Sequence, residues 1–465
     1  MKKKVLIVAL LALSTLVEAG AQTLQPFQKG DRVTFAGNSI TDGGHYHSYI
    51  WLYYMTHFPE RRVWMANCGI GGDTGKQILD RLDDDVLSKK PTVLTYSFGM
   101  NDTGYWEYNG DEAQAFADKK VEECRQTLQE AEKRFKSLNG VKVVMIGTSP
   151  YDQTSTFNDN IYKNKNNAMQ RVVRLQEEVA RRNGWPFVDF NAPMVAINER
   201  EQKKDPTFTI IGNDRVHPDN DGHMVMAYLF LKAQGLVGEK VSDVEIDASA
   251  HKVQKQANCR VSGLKVNTEG LQYTYLAKSL PLPLDTIAHG WGFNNGAAKA
   301  VRAVPALLDD LSDEHLCVKG LSGKYELSID DIVLDTLSAE QLAKGLNMSV
   351  YRHSPQYQQA CAIMALNEAR WEIERRFRDY AWLQYDFFMP KGMLNRTDEA
   401  AARLFRQEKD NVFVTSKKDT FDKMCHAEVR EAYIAQMEDL VNRIYKINKP
   451  QKRIVRLRSL EETRL

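Results

Sequence analysis

From Lys29 to about Gly238 short strand-like runs alternate with helical stretches, and this alternation constrains the fold more than any other feature. Five runs carry β-branched or aromatic residues between turn residues: Arg32–Ala36, Val63–Asn67, Thr92–Phe98, Val141–Ile146 and Pro186–Phe190. Among the helical stretches the clearest is Asp111 to Leu138. There Ala117, Val121, Cys124, Leu128, Ala131, Phe135 and Leu138 step by four and three, an amphipathic stripe. A last helix is expected over Asp219 to Ala233. Such a pattern predicts an α/β domain, a parallel sheet with helices on both faces. In a parallel sheet the strand ends share one edge, and open sheets bind ligands there. Ser39 follows the first run, Gly72 the second and Asn101 the third. Asp214 and His217 precede the last helix, on a loop able to reach the same edge.

Those residue types form a chemical inventory. A serine hydroxyl becomes a good nucleophile when a base takes its proton. His217 is the candidate base, and Asp214, three residues earlier, can orient it through Nδ1 and leave Nε2 for Ser39. The Ser39 and Gly72 N–H groups and the Asn101 amide are candidate oxyanion donors. Asp102 is a second possible partner for the histidine, with local hydrogen bonding its favoured job. Tyr105 and Trp106 follow Asn101 directly, and their rings are candidate substrate contacts at the catalytic edge. His45 and His47 read as solvated loop histidines, with substrate binding as the alternative.

The four blocks are Gly37-Asn38-Ser39-Ile40, Asn67 to Thr74, Gly99-Met100-Asn101-Asp102 and Asp214-Arg215-Val216-His217-Pro218. In this order they resemble the SGNH hydrolases, the GDSL-type esterase and lipase superfamily. The resemblance covers roughly Lys29 to Gly238. It implies a flavodoxin-like three-layer fold, hydrolysis of carboxylic esters through Ser39, His217 and Asp214, an oxyanion hole of Ser39, Gly72 and Asn101, and no metal or cofactor. One departure is Asn38, where the family usually has aspartate, a change that could alter the turn posing Ser39. An export signal expected over residues 1–21 and the domain layout resemble SGNH proteins of carbohydrate-degrading bacteria, which implies acetyl esters of carbohydrate as substrate. A lipase or lysophospholipase is the rival within the class. A non-catalytic carbohydrate-binding protein on the same fold is the rival outside it.

The rest of the chain bounds the setting. At 465 residues it is too long for one ordinary domain. Lys2 to Lys4, the apolar Val5 to Leu16 and Ala19-Gly20-Ala21 read as a secretory signal peptide cut after Ala21, which predicts a periplasmic or secreted protein. No apolar run is long enough to span a bilayer. Loss of three lysines and Glu18 takes the formal charge from +1 to −1, which gives no reason to expect a nucleic-acid partner. Six cysteines are widely and irregularly spaced, without C-x-x-C, so no zinc or redox motif is indicated; free buried thiols are at least as good a reading as bridges.

Residues 239–337 read as a small β-rich unit, with strands at Val244–Ile246, Cys259–Leu264, Leu271–Leu276, Tyr325–Ile329 and Ile332–Leu334. Residues 338–465 read as helical, with Tyr357 to Met389 and Asp419 to Lys449 free of Gly and Pro. In the second, Tyr433, Met437, Leu440, Ile444 and Ile447 form an apolar face expected to dock on the rest of the protein. The glycine-rich loop His289 to Gly296 reads as a connector, with an active-site lid as the alternative. The basic tail from Lys449 to Arg458 reads as a solvated helix end or a frayed terminus. The sequence leaves the oligomeric state open.

Overall fold

The computed structural model describes residues 23–287 and 299–460. The expected signal segment and the loop His289 to Gly296 lie outside the described residues.

The half up to Gly238 is built on five parallel strands: β1 (Arg32–Gly37), β2 (Trp64–Gly69), β3 (Val93–Phe98), β4 (Lys142–Gly147) and β5 (Phe187–Asp189), in spatial order β2-β1-β3-β4-β5. That is the flavodoxin-like order the resemblance implies. Its helices are α1 (Ser39–Gly43), α2 (Tyr46–His57), α3 (Gly75–Asp80), α4 (Ala113–Lys136), α5 (Lys165–Asn183), α6 (Asn191–Gln202) and α7 (Asn220–Ala233). Side chains on a strand alternate between faces, and β4 shows the result. Val143 and Met145 join one buried cluster with the α4 residues Val121, Cys124 and Leu128, while Val144 and Ile146 join the opposite one with α2 and α7. The α4 stripe is buried as its spacing predicts, from Ala117 to Phe135.

Helix α2 is buried along its whole length, which explains why its sequence shows no polar face. Its burial also corrects the reading of two histidines. His45 and His47 are not solvated loop residues: both are buried at the start of α2. His45 Nε2 lies 3.0 Å from Glu368, and its ring packs 4.1 Å from Trp371. His47 Nε2 lies 3.1 Å from the Thr41 carbonyl, and burial pushes its pKa down to about 4. It is neutral at pH 7 and suited to donate to that carbonyl.

Beyond Gly238 lie β6 (Ser242–Asp247), β7 (Lys252–Ala257), β8 (Cys259–Asn267), β9 (Gly270–Ala277), α8 (Ala300–Ala303), α9 (Leu307–Leu311), β10 (Glu314–Lys319), β11 (Lys324–Ile329), β12 (Ile332–Ser338), α10 (Ala339–Lys344) and β13 (Leu346–Asn347). Then come α11 (Pro355–Trp382), α12 (Glu399–Gln407), α13 (Val412–Thr415), α14 (Lys418–Met424), α15 (Ala427–Ile447) and β14 (Arg453–Ser459). The strands form a four-stranded sheet, β13-β10-β6-β7, and a five-stranded antiparallel one, β12-β11-β14-β9-β8, with one core shared between them.

The basic tail is therefore neither a helix end nor frayed. It is β14, hydrogen-bonded between β11 and β9. Val455 and Leu457 point into the shared core, while Arg456 and Arg458 pair with Asp331 and Glu326 outside. The alternation was present in the sequence, but five cations in the ten residues from Lys449 to Arg458 masked it.

The helix expected from Asp419 breaks at Cys425-His426, between α14 and α15. Of the expected apolar face only Ile444 is buried, in the core that contains α2; Tyr433, Met437 and Leu440 are half-buried and Ile447 is exposed, while Val441, outside the expected stripe, joins Ile444 in that core. None of the six cysteines is paired; Cys68, Cys124 and Cys317 are buried. No described helix is long and apolar enough to cross a membrane.

Candidate active site

Each block sits where a strand ends. Asn38 follows β1 and caps α1, its Oδ1 accepting from the Ile40 N–H at 3.1 Å. Asparagine thus performs the N-cap task that aspartate would, and the turn into Ser39 is intact. Ser39 is the first residue of α1, so its N–H is one of those a helix start leaves without an intrahelical acceptor. The turn is tight: a Cβ at Gly37 would lie 2.2 Å from Thr41 Oγ1.

After β2, Ile70-Gly71-Gly72-Asp73 makes a β-turn closed by the Asp73 N–H to the Ile70 carbonyl at 3.3 Å. Gly72 has φ +93°, the positive value that a type II turn places at its third residue. After β3, Asn101 donates through Nδ2 to the Asp73 carbonyl at 2.8 Å and accepts at Oδ1 from the Tyr105 hydroxyl at 2.6 Å. These two bonds fix which way the amide faces. They also leave the second amide hydrogen for another acceptor. Asp102 accepts from the Gly75 and Gly99 N–H groups at 2.7 and 2.8 Å. Burial raises its pKa to about 6 against those bonds. It ties the blocks after β2 and β3 together, the local role favoured for it.

The loop before α7 brings His217 to Ser39. His217 Nε2 lies 2.8 Å from Ser39 Oγ, and His217 Nδ1 lies 2.5 Å from Asp214 Oδ2. The other Asp214 oxygen accepts the Val216 and His217 N–H groups, both at 2.9 Å. Partial burial works upward on the Asp214 carboxyl, but His217 and these N–H groups outweigh it and hold its pKa below the usual range. Asp214 is an anion at neutral pH, aimed at the imidazole.

Two supporting residues escaped the sequence reading. Arg215, between the aspartate and the histidine, is buried with φ +65°, a conformation a side-chain-bearing residue adopts at a cost. Its guanidinium donates to the Asp152, Ser155 and Asn158 carbonyls at 3.0, 2.9 and 2.6 Å, which holds the loop. Lys165, on α5, donates to the Met100 and Gly104 carbonyls at 2.7 and 2.5 Å and to Thr103 Oγ1 at 3.0 Å. Burial lowers its pKa to about 7. It pins the loop that carries Asn101. Arg215 occupies a variable position of the D-x-x-H block and Lys165 lies in no recognisable spacing, so no sequence signal marked the role of either. Of the aromatic pair, Tyr105 is half-buried and bound to Asn101, whereas Trp106 is 70% exposed beside it. No group of His, Cys, Asp and Glu with metal-binding geometry occurs among the described residues.

Residues 35–225 match the GDSL-like lipase/acylhydrolase family, and residues 361–449 match the diltiazem deacetylase C-terminal helical domain. A gut microbial diltiazem-metabolizing enzyme of known structure is 50% identical, with a TM-score of 0.92 over 95% of this chain and 100% of that one. The chain belongs to the SGNH hydrolases, the GDSL-type superfamily. An acetylxylan esterase of Geobacillus stearothermophilus is 27% identical over 225 residues, which is 44% of this chain and 94% of that relative. This SGNH protein is an ester hydrolase. The bacterial esterase aligns with 44% of the chain, and the diltiazem-metabolizing enzyme with 95% of it.

Proposed function

We propose that this SGNH hydrolase is a serine esterase that removes acetyl groups from acetylated carbohydrate, with Ser39 as nucleophile, His217 as base and Asp214 as the group that orients it. The observation that carries the reading is the unbroken relay from Asp214 Oδ2 through His217 to Ser39 Oγ, at 2.5 and 2.8 Å. Ser39 Oγ attacks the acetyl carbonyl while His217 Nε2 takes its proton. The charge that develops on the carbonyl oxygen meets the Ser39 N–H, the Gly72 N–H and the free hydrogen of the Asn101 amide. His217 then protonates the departing alcohol. It next activates a water that attacks the acetyl-enzyme, and acetate leaves with Ser39 restored.

Similarity to an acetylxylan esterase supports an acetyl group on a sugar. The exposed Trp106 ring, five residues after Asn101 in the chain, offers a face for a sugar to stack on. Export, as the first 21 residues suggest, would place the enzyme where polysaccharide is met. A second reading, acetyl esters of bulky aromatic alcohols, is favoured by the 50% identity to the diltiazem-metabolizing relative. Acetate release separates the two. Acetylated xylo-oligosaccharides are expected to be cleaved with a higher kcat/KM than diltiazem. Cleavage of diltiazem alone would defeat the carbohydrate reading.

The oxyanion assignment has its own test. Asn101→Ala is expected to lower kcat by about 10²–10³-fold, the usual effect of losing one such donor. KM for an aryl acetate should barely move, because the bond strengthens in the transition state.

A further inference from the structure

The central peptide of the oxyanion turn, between Gly71 and Gly72, is held by a helix that lies more than 300 residues away in the chain. Trp382, at the last residue of α11, donates its indole N–H to the Gly71 carbonyl at 3.1 Å. Two more α11 residues brace the same segment. Arg378 Nε donates to the Gly69 carbonyl at 2.9 Å. Arg375 Nη1 donates to Asp42 Oδ1 at 2.6 Å and to the Asp42 carbonyl at 3.0 Å. The second Asp42 oxygen accepts the Gly71 N–H at 3.1 Å. Residues 375, 378 and 382 are three and four apart, so they share one face of the helix. That face meets the backbone of both the nucleophile helix and the glycine turn.

The consequence follows from peptide geometry. The Gly71 carbonyl and the Gly72 N–H belong to one planar trans unit and point in opposite directions. Type I and type II turns differ chiefly by a flip of this central peptide. With glycine at both central positions the flip meets little steric resistance. Only one of the two orientations lets the carbonyl accept from Trp382, and that choice also fixes where the Gly72 N–H points. We propose that Trp382 is a positioning residue: by holding the Gly71 carbonyl it keeps the Gly72 N–H aimed at the oxyanion site. The C-terminal helical region thereby completes the active site. This inference rests on the assignment of Gly72 as an oxyanion donor.

The test is Trp382→Phe in the full-length protein, which removes the indole N–H and keeps an aromatic ring. A net hydrogen bond changes an equilibrium by about tenfold. The expected result is a fall in kcat of about tenfold on an aryl acetate, with KM within twofold. Inhibition by phenylboronic acid, which forms a tetrahedral adduct on a serine, should weaken by the same factor. Trp382→His, which can again present a ring N–H, should recover part of the loss. Equal kcat for Trp382→Phe and the parent protein would overturn the proposal. So would losses in Trp382→Phe and Trp382→His that track their melting temperatures rather than their N–H donors. Ser39→Ala is measured alongside. If that variant keeps full activity, the site assignment has failed as a whole. If it is inactive while Trp382→Phe is as fast as the parent, only the positioning role has failed.

Discussion

Ser39→Ala is expected to lower kcat on an aryl acetate by about 10⁴–10⁶-fold, the range seen when a serine hydrolase loses its nucleophile. The residual rate should be that of water attacking a bound ester, helped by the oxyanion donors and little else. The fold should be unaffected. Ser39 contributes one hydroxyl, bonded to His217 Nε2 at 2.8 Å, and its backbone stays in the first turn of α1 under the Asn38 cap. Losing that bond costs about 1 kcal/mol, so the melting temperature should move by a few degrees at most. Circular dichroism melts beside acetate release check both halves. An active Ser39→Ala variant would remove Ser39 from the mechanism whatever its distance to His217.

The site was legible from sequence to the extent that it is made of strand ends. Ser39, Gly72 and Asn101 each follow an apolar run, and in a parallel sheet those ends must share an edge. The short D-x-x-H spacing carried Asp214 and His217. What was not legible is what holds these groups in place. Arg375, Arg378 and Trp382 look in sequence like the ordinary polar side of a long helix, because they reach backbone carbonyls of residues 42, 69 and 71 and the carboxylates of Asp42 and Asp85, partners about 300 residues away that no local pattern announces. Burial of His45 and His47 was missed for a related reason. Helix α2 is covered on every side by α7, the sheet and α11, so it lacks the two-faced pattern from which exposure is read. Strand β14 was missed because its solvent face is arginine, and cations in a row suggest a tail. In each case a long-range partner overrode the local signal.

A chain ending at Gly238 is expected to be insoluble or to lack a cooperative melt, and to show no esterase activity. The point is not obvious, since 225 residues make up 94% of the related acetylxylan esterase, which therefore manages without a counterpart of this C-terminal half. Here the catalytic half is finished by the rest of the chain. Asp85 is buried, and Arg378 grips it with two bonds, at 2.9 and 2.7 Å. Burial works against that carboxylate, yet Arg378, Lys89 and Arg81 hold its pKa well below the usual range. Without Arg378 the carboxylate would keep Arg81 and Lys89 but lose two charge-assisted hydrogen bonds, each worth about 1.5–3 kcal/mol. Truncation would also remove Arg370 from the face of the buried Trp51, Glu368 from His45, and Glu374 from the Asn67 N–H on β2. Along α2 the main-chain carbonyls of Met55, Thr56 and His57 would lose Asn448, Leu280 and Ser279. Domain stability is about 5–15 kcal/mol in total. The loss of Arg378 alone could take a third of that, before the apolar face of α2 meets water. Expression of residues 22–238, followed by sedimentation, a thermal melt and an acetate assay, decides it. A soluble, active fragment would mean that the sheet and its own helices suffice, and that the α11 contacts tune a site that stands without them.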